Sequence, residues 1–551
     1  MSNLAIKLFF FLLVTIVSIK YILFWTYVWQ LKEYRWDRFC DFLRSREGHD
    51  AFLNKFYLAK ILLIIFIFLF LLSFLELPLV LVFILAFMVL LLFLESAIFL
   101  KRVKQRKFIE PVFTSRAIIF IFIVSIICFY VLILNFIHWG GNNFVDFIYI
   151  PLSLVILIYI PLVIALVNLI ISPFFRILKN KKVKEAGKIM DNFFGTVIGI
   201  TGSYGKSSVK EFTFSLLENK FNILKTPKNI NTEIGVANHI ISQKSKVKKP
   251  ALSLPKGQKS RYFICEMGAY RIGEIKKMCG MVKPKIGILT GINEQHIALF
   301  GNIENTIKGK SELINSLPSG GLAIINFDDE NCRKVVVPSG IRKITYGFSE
   351  DADFRILEIR NLKLEIKIME IIIESGGRQY TLNLNALGKH SASNLLPAII
   401  VAREAGMDWD EIAMAVEDLK SLDNGMKIKE INGAVIIDDT YNSNPAGVRA
   451  ALEVLDSVDR KHKILVLDDI WELGKEGERI HRELAKLISA KNYDKIILVG
   501  KEYAGLMKKV MVESGVDEKR IIWGEDRTLF CQDTVVLLEG RRAGKFLISN
   551  F

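Results

Sequence analysis

The run Gly199-Ile-Thr-Gly-Ser-Tyr-Gly-Lys206-Ser207-Ser208 joins a short apolar stretch, Thr196 to Ile200, to a glycine-rich turn and then to a helical pattern over Val209 to Leu217. These residue types at this spacing can grip phosphate. The glycines let backbone N–H groups approach phosphate oxygens, Lys206 can reach the terminal phosphates, and the Ser207 hydroxyl can hold Mg²⁺. The strict pattern G-x-x-x-x-G-K-[ST] would need glycine at position 200, where this chain has Ile200, so the loop belongs to a subset of phosphate-binding loops. An ordinary strand-to-helix turn is the alternative reading.

Three further residues have side chains suited to such a site. Glu266 ends the apolar run Tyr262-Phe-Ile-Cys-Glu266, and the carboxyl ends of strands are where ligands gather in α/β sheets. It is a candidate Mg²⁺ ligand or a solvated, capping acid. His296 follows another such run in Thr290-Gly-Ile-Asn-Glu-Gln-His296, and Lys310 lies in the helical pattern Ile307-Lys-Gly-Lys-Ser-Glu-Leu-Ile314. Taken singly, a structural histidine and an exposed lysine are the simpler readings. The six cysteines are scattered without a C-x-x-C pair, which points to neither zinc nor a disulfide framework.

The elements that must position these groups alternate between strand and helix, which predicts parallel α/β sheets. Strands are expected at Tyr262–Glu266, Lys285–Thr290, Gly321–Asn326, Ala434–Asp438, Lys463–Leu467, Lys495–Val499 and Thr534–Leu538. Helices fit at Ile307–Leu317, Ser391–Ala405, Trp409–Leu419 and Ala446–Leu455. Lys244 to Arg261, rich in lysine and proline, reads as an exposed insertion loop, and a domain boundary falls near Ser421-Leu-Asp-Asn-Gly425.

In front of the loop the chain reads as membrane. Its 551 residues are 51% apolar with a net charge of +16, and the apolar residues concentrate at the front. Five stretches approach the roughly 20 residues that cross a hydrocarbon core: Leu4–Trp29, Tyr57–Leu75, Leu77–Leu100, Ala117–Ile137 and Phe147–Ile171. The short Glu76-Leu-Pro78 link leaves a re-entrant hairpin as the alternative for the second and third. Lysine and arginine cluster at 32–46, 101–107 and 176–184, whereas the intervening links carry none. That asymmetry predicts an outside N-terminus and a cytoplasmic remainder from about Phe174. Much of the basic excess is then membrane-facing rather than a nucleic-acid footprint. Lys7, Lys20, Lys60 and Glu95 are the ionisable residues of the spans. They are expected near ends or snorkelling, which leaves no ion pathway and makes the region an anchor or a docking surface.

The order of motifs completes the picture: the phosphate loop, Thr226-Pro-Lys-Asn-Ile-Asn-Thr-Glu-Ile-Gly235, Glu266-Met-Gly268, Asn293-Glu-Gln-His296, Lys310-Ser-Glu312, Gly388-Lys-His-Ser-Ala-Ser-Asn394, Asp438-Asp-Thr-Tyr-Asn-Ser-Asn-Pro445, Leu467-Asp-Asp-Ile-Trp-Glu-Leu-Gly474 with His481, and Asp533-Thr-Val-Val-Leu-Leu-Glu-Gly540. From about Asn192 onward this resembles the Mur ligase family, most of all its members that add D-alanyl-D-alanine to a muramyl tripeptide. The resemblance says nothing of residues 1–184, which the apolar stretches make a membrane region of about five helices; behind it the resemblance implies a central ATP-binding domain 185–422 and a Rossmann-like C-terminal domain 423–551. It implies that Thr201, Gly202, Ser203, Tyr204, Gly205, Lys206, Ser207 and Ser208 hold ATP phosphates, and that Ser207, Glu266, His296 and a carbamylated Lys310 serve Mg²⁺. Asn394, beside His390, would meet the base. Lys427 and Asp439 would also meet the nucleotide, and Asn229, Asn231, Thr232, Tyr441, Asn442 and Asn444 the substrates.

Two positions depart from the family pattern: Lys427 replaces an arginine, and Asp468 replaces a glycine. Five spans also stand where such enzymes carry a soluble domain that grips the uridine-diphosphate end of the substrate. The expected activity is ATP-dependent amide formation through an acyl phosphate in peptidoglycan synthesis, at the inner membrane and beside the enzymes of the lipid-linked steps. The alternatives are a lipid-linked glycopeptide or poly-γ-glutamate-like acceptor, and an ATP-driven transporter.

Overall fold

A computed structural model describes residues 2–72, 78–138, 146–247, 261–295, 297–363, 368–386, 388–419, 426–431, 433–440, 443–471, 473–524 and 533–545. The chain divides into two compact units, Met1–Leu178 and Lys179–Phe551.

The first unit is helical. Four of its helices are long and apolar enough to cross a membrane, at Leu4–Leu31, Val82–Lys104, Ser115–Ile137 and Leu152–Met190. The apolar helix Lys55–Leu72 covers the described part of the remaining expected span. Two short helices, Trp36–Arg44 and Arg46–Phe52, fold back so that Phe39 stacks on Trp29 at 4.0 Å and Phe52 meets Trp25 at 5.6 Å. One expectation is corrected. Lys60 and Glu95 do not snorkel: both side chains are 0% exposed and meet at 2.6 Å. Lys20, 22% exposed, reaches Glu95 at 2.6 Å from the other side. A buried carboxylate this close offsets much of the cost of desolvating the lysine, which the sequence of any single helix does not reveal.

The second unit holds two sheets. In the first, β1 (Thr196–Thr201), β2 (Asn222–Lys225), β3 (Arg261–Glu266), β4 (Ile286–Leu289), β5 (Leu322–Asn326), β6 (Arg342–Gly347), β7 (Phe354–Lys363), β8 (Ile368–Ser375) and β9 (Arg378–Leu384) lie in the order β2-β3-β1-β4-β5-β6-β7-β8-β9. The pairings are parallel from β2 to β7 and antiparallel through β9. The central parallel strands β1, β3, β4 and β5 are largely apolar because both faces are covered. On one face, Ile198, Ile200 and Ile264 pack with Phe212 and Leu216 of the helix Lys206–Leu217 and with Leu395 and Ile399 of the helix Lys389–Glu404. On the other, Val197 and Phe263 pack with Val236, Ile275 and Met278.

The second sheet contains β10 (Lys427–Ile431), β11 (Ala434–Asp439), β12 (His462–Leu467), β13 (Lys495–Leu498), β14 (Ile521–Trp523) and β15 (Thr534–Glu539), ordered β10-β11-β15-β12-β13-β14. Only its β10–β11 edge pairs antiparallel among the described strands. The insertion-loop expectation is corrected at both ends. Lys244–Val247 forms a helical turn with Val247 buried, and Arg261 opens β3 while donating to the carbonyls of Lys246 and Val247. Residues 248–260 lie outside the described residues.

Candidate active site

The phosphate loop leaves the carboxyl end of β1, between β3 and β4, where successive connections depart to opposite sides of the sheet. Such a switch point opens a crevice at the strand ends. Two glycines are required there by geometry. Gly202 has φ +152° and a Cβ on it would lie 2.1 Å from the Thr290 hydroxyl oxygen; Gly205 has φ +77° and a Cβ would lie 2.4 Å from Asn394 Oδ1. Asn394, called from the resemblance alone, therefore touches the loop. The loop is held open from behind: Ser203 N–H donates to Gly291 O at 2.6 Å, and Tyr204 OH donates to Asp329 at 2.9 Å.

Gly205 ends the loop and the helix Lys206–Leu217 follows, aiming unpaired N–H groups at the crevice. Lys206 Nζ donates to the carbonyls of Gly202 at 2.7 Å and Ser203 at 3.1 Å. It has no carboxylate within ion-pair distance among the described residues, and burial holds its pKa below the ordinary lysine value against the opposing charge of Glu266. A desolvated ammonium that bonds only loop carbonyls suits a phosphate oxygen.

Glu266 ends β3, one strand from the loop, in register with Ile200. It is 1% exposed. Ser207 Oγ donates to its two oxygens at 3.1 and 3.0 Å, Asn231 donates at 3.0 Å, and Lys210 Nζ at 3.0 Å. Burial alone would raise its carboxyl, but the charges of Lys210 and Lys206 and these hydrogen bonds outweigh it and hold the group below the usual carboxylate range. Ser207 and Glu266 are hard oxygen donors side by side, the chemistry Mg²⁺ prefers. No group of three or more His, Cys, Asp or Glu placed to hold a metal ion occurs among the described residues, and His296 lies outside them. Lys210 was missed by sequence reasoning. Its position four residues after Lys206, one helical turn on, was the available signal.

Lys310 is not the exposed lysine of the simpler reading. It is 2% exposed on the helix Ile303–Asn315, with Nζ 3.5 Å from Ala269 O and 5.8 Å from the Phe300 ring centroid. Burial, reinforced by the charge of Lys206, holds its amine well below the ordinary lysine value. The structure thus brings Lys206, Ser207, Glu266, Asn231 and Lys310 to one place.

Other expected residues take local roles. Thr232 caps the helix Glu233–Ser242 by accepting from Gly235 N–H. Asn229 sits at φ +64° in the turn before it. His390 has a desolvated ring with pKa pushed down to about 4.

The second sheet contributes Asp439 at the end of β11, opposite Glu539 on β15. Glu539 is fully buried; burial and the neighbouring Asp439 push its carboxyl far up, and Ser443 donates to it at 2.8 Å. Asn444 caps the helix Pro445–Ser457 and accepts from Asn293 Nδ2 at 3.2 Å, tying this domain to the strand-end loop of the first sheet. Tyr441 and Asn442 lie outside the described residues. Asp468 has a clear structural part: it accepts from the Arg542 backbone at 3.0 Å and from Arg542 Nη1 at 3.3 Å, fixing the turn after β15. His481 also serves packing, since its Nε2 accepts from Ile470 N–H while its ring stacks on Tyr503.

Lys427 opens β10, exposed. A lysine there presents a point charge where a guanidinium would present a planar fork. Lys427→Arg is expected to lower the KM for nucleotide roughly three- to tenfold with little change in kcat, read from steady-state ADP release.

The Mur ligase middle domain family matches residues 200–402 and the Mur ligase glutamate ligase domain matches residues 426–540. UDP-N-acetylmuramoyl-tripeptide--D-alanyl-D-alanine ligase of Escherichia coli K12 is 27% identical over 350 residues, covering 63% of this chain and 74% of that protein. The protein of the same name from Buchnera aphidicola subsp. Baizongia pistaciae is 30% identical over 332 residues, covering 60% and 68%. Among solved structures, MurF ligase from Thermotoga maritima in complex with ADP superposes with a TM-score of 0.55 at 26% identity, covering 68% of this chain and 83% of that one. MurF from Acinetobacter baumannii gives 0.57 at 21%, covering 68% and 80%. The chain belongs to the Mur ligase family.

Proposed function

We propose that this chain is an ATP-dependent acid:amino-acid ligase of peptidoglycan synthesis that joins D-alanyl-D-alanine to a muramyl tripeptide while held in the inner membrane, with its catalytic domains in the cytoplasm. The observation that carries the reading is the meeting of Lys206, Ser207, Glu266 and Lys310 at the end of β1. The names of the relatives supply the substrates.

A carboxylate is a poor electrophile at neutral pH, so it must be activated before an amine can attack it. Bound Mg²⁺ and ATP would supply a γ-phosphoryl group and neutralise the charge that builds during its transfer. The acceptor carboxylate oxygen attacks phosphorus and ADP leaves. The dipeptide amine then attacks the acyl carbon, the C–O bond to phosphate breaks, and the nitrogen loses its proton. Lys206 and the loop N–H groups hold the transferring group; Ser207 and Glu266, with His296 and a carbamylated Lys310, would place the metal. The Asn293–Asn444 hydrogen bond joins the domain that would bring the amine to the loop after β4, whose Asn293 N–H donates to Ser203 of the phosphate loop. Their closure excludes water that would hydrolyse the acyl phosphate.

ADP release by the detergent-purified chain is expected only with both the UDP-linked tripeptide and D-alanyl-D-alanine present, accompanied by a product carrying one new amide. Undiminished ADP release without acceptor or amine would overturn the reading.

A further inference from the structure

The first unit carries a charged cluster that the ligase reading does not use. Glu95, on the helix Pro78–Lys104, is clasped by Lys60 of the helix Lys55–Leu72 and Lys20 of the helix Ser2–Leu31, each at 2.6 Å. Tyr21 OH donates to Glu95 at 2.9 Å and accepts from Lys60 at 2.9 Å. Two ammonium groups face one carboxylate, so with all three ionised the cluster holds one uncompensated positive charge. Hydrogen bonding is unbalanced in the same sense. Among the described residues Lys20 spends one of its three N–H groups, on Glu95, and lies over the rings of Tyr21 and Phe56. Uncompensated charge and unspent donors beneath a bilayer surface are costly, and an anion removes both costs.

Lys20 is the member with exposed surface, which sets where the anion enters. Lys60 lies one and a half turns, about 8 Å, inside its helix from Lys55. That places the cluster within a head group's reach of the expected cytoplasmic surface. Phe9 stands eleven residues before Lys20, about three turns or 16 Å along the same face of the helix. Phe9 and Ile6, with Val82, Val89 and Phe93 of the neighbouring helix, line an apolar groove of about 420 Å³. This is at the small end of ligand-sized pockets, and it suits one chain rather than two. A fatty carboxylate brought to this depth would escape its charge by taking up a proton; a phosphate stays ionised.

We infer that Lys20, held by Glu95 and Lys60, is the head-group site of a single-chain lipid phosphate whose chain lies along Phe9 in the groove. This rests on the membrane-spanning reading and is independent of the ligase chemistry.

The test uses the full chain in an uncharged maltoside detergent, titrated by native mass spectrometry with a long-chain polyprenyl phosphate, the matching polyprenyl alcohol and phosphatidylglycerol. One polyprenyl phosphate per chain is expected, with the alcohol and phosphatidylglycerol each at least roughly tenfold weaker. Lys20→Gln should weaken the phosphate at least roughly tenfold and leave the alcohol unmoved. Phe9→Trp, at a 44% exposed position that tolerates bulk, should fill the groove and weaken both polyprenyl ligands. Equal binding of alcohol and phosphate, equal binding of phosphatidylglycerol, or wild-type affinity in Lys20→Gln would overturn the proposal. Membrane insertion is read separately by alkaline carbonate extraction: release into the soluble fraction overturns the spanning reading whatever the titration gives.

Discussion

Lys310→Met is expected to lower the rate of amide formation by roughly 10³ while raising the thermal midpoint of the catalytic half. The two effects have one cause. The Lys310 amine is buried and close to the charge of Lys206, so its pKa in the folded chain lies well below the ordinary value of 10.5. Between those two values the unfolded chain binds a proton that the folded chain does not, so stability rises with pH across that window, and at pH 7 the lysine opposes folding. Methionine matches its length without the charge. Each kcal/mol recovered should raise the midpoint by roughly 2–4 °C. The same lowering raises the share of neutral amine, the form that reacts with CO₂. Turnover of the parent chain should therefore fall in CO₂-depleted buffer and recover with bicarbonate, whereas the variant responds to neither. Scanning fluorimetry and ADP release on one preparation measure both halves. Retained turnover in Lys310→Met would remove this residue from the mechanism.

The contrast between Lys206 and Lys310 shows what the chain discloses on reading. A glycine-rich turn between an apolar strand and a helix is local, so the loop, its lysine and the strands flanking it were legible from residue types alone. Most parallel strands were equally plain because burial on both faces leaves them apolar, but the parallel β2, β6 and β14 were not, being short or, in β6, opening on the exposed Arg342 and Lys343. Nor was the edge of the first sheet. In β7 and β8 the outward positions carry charge, with Arg360 bonding Glu358 at 2.7 Å and Glu370 at 3.2 Å, so no apolar run marks them. The paired glycines Gly376 and Gly377, with φ of +59° and +73°, mark the hairpin between β8 and β9 and were the signal available. The burial of Lys310 follows from packing of its helix against the helix Glu274–Val282, which its own sequence does not encode. Lys20, Lys60 and Glu95 were unreadable as a unit for the same reason: each sits on a different helix, 35 or more residues from its partner.

Glu266→Gln is expected to cost both turnover and stability, by separable routes. The carboxylate is the shared acceptor of Ser207, Asn231 and Lys210. The isosteric amide keeps the shape but leaves the Lys210 ammonium, 1% exposed, with Glu211 at 3.5 Å as its remaining carboxylate. A buried charge stripped of its close partner costs about 3 kcal/mol. Lys210→Met in the same chain removes the stranded charge, so the double variant should recover most of the lost stability, and the cycle should return a coupling energy of about 2 kcal/mol by urea unfolding. Turnover should not recover. A neutral amide is a poor Mg²⁺ ligand, and a fall of roughly 10³ in kcat is expected in the single and double variants alike. The pH dependence gives a second readout. In the folded chain Glu266 is held below its ordinary value, so its contribution to stability is full above about pH 4.3 and is lost as pH falls through the lowered folded value. The single variant should lack that part of the acid slope. Turnover restored by Lys210→Met would mean that Glu266 serves to neutralise a lysine and not to place a metal ion.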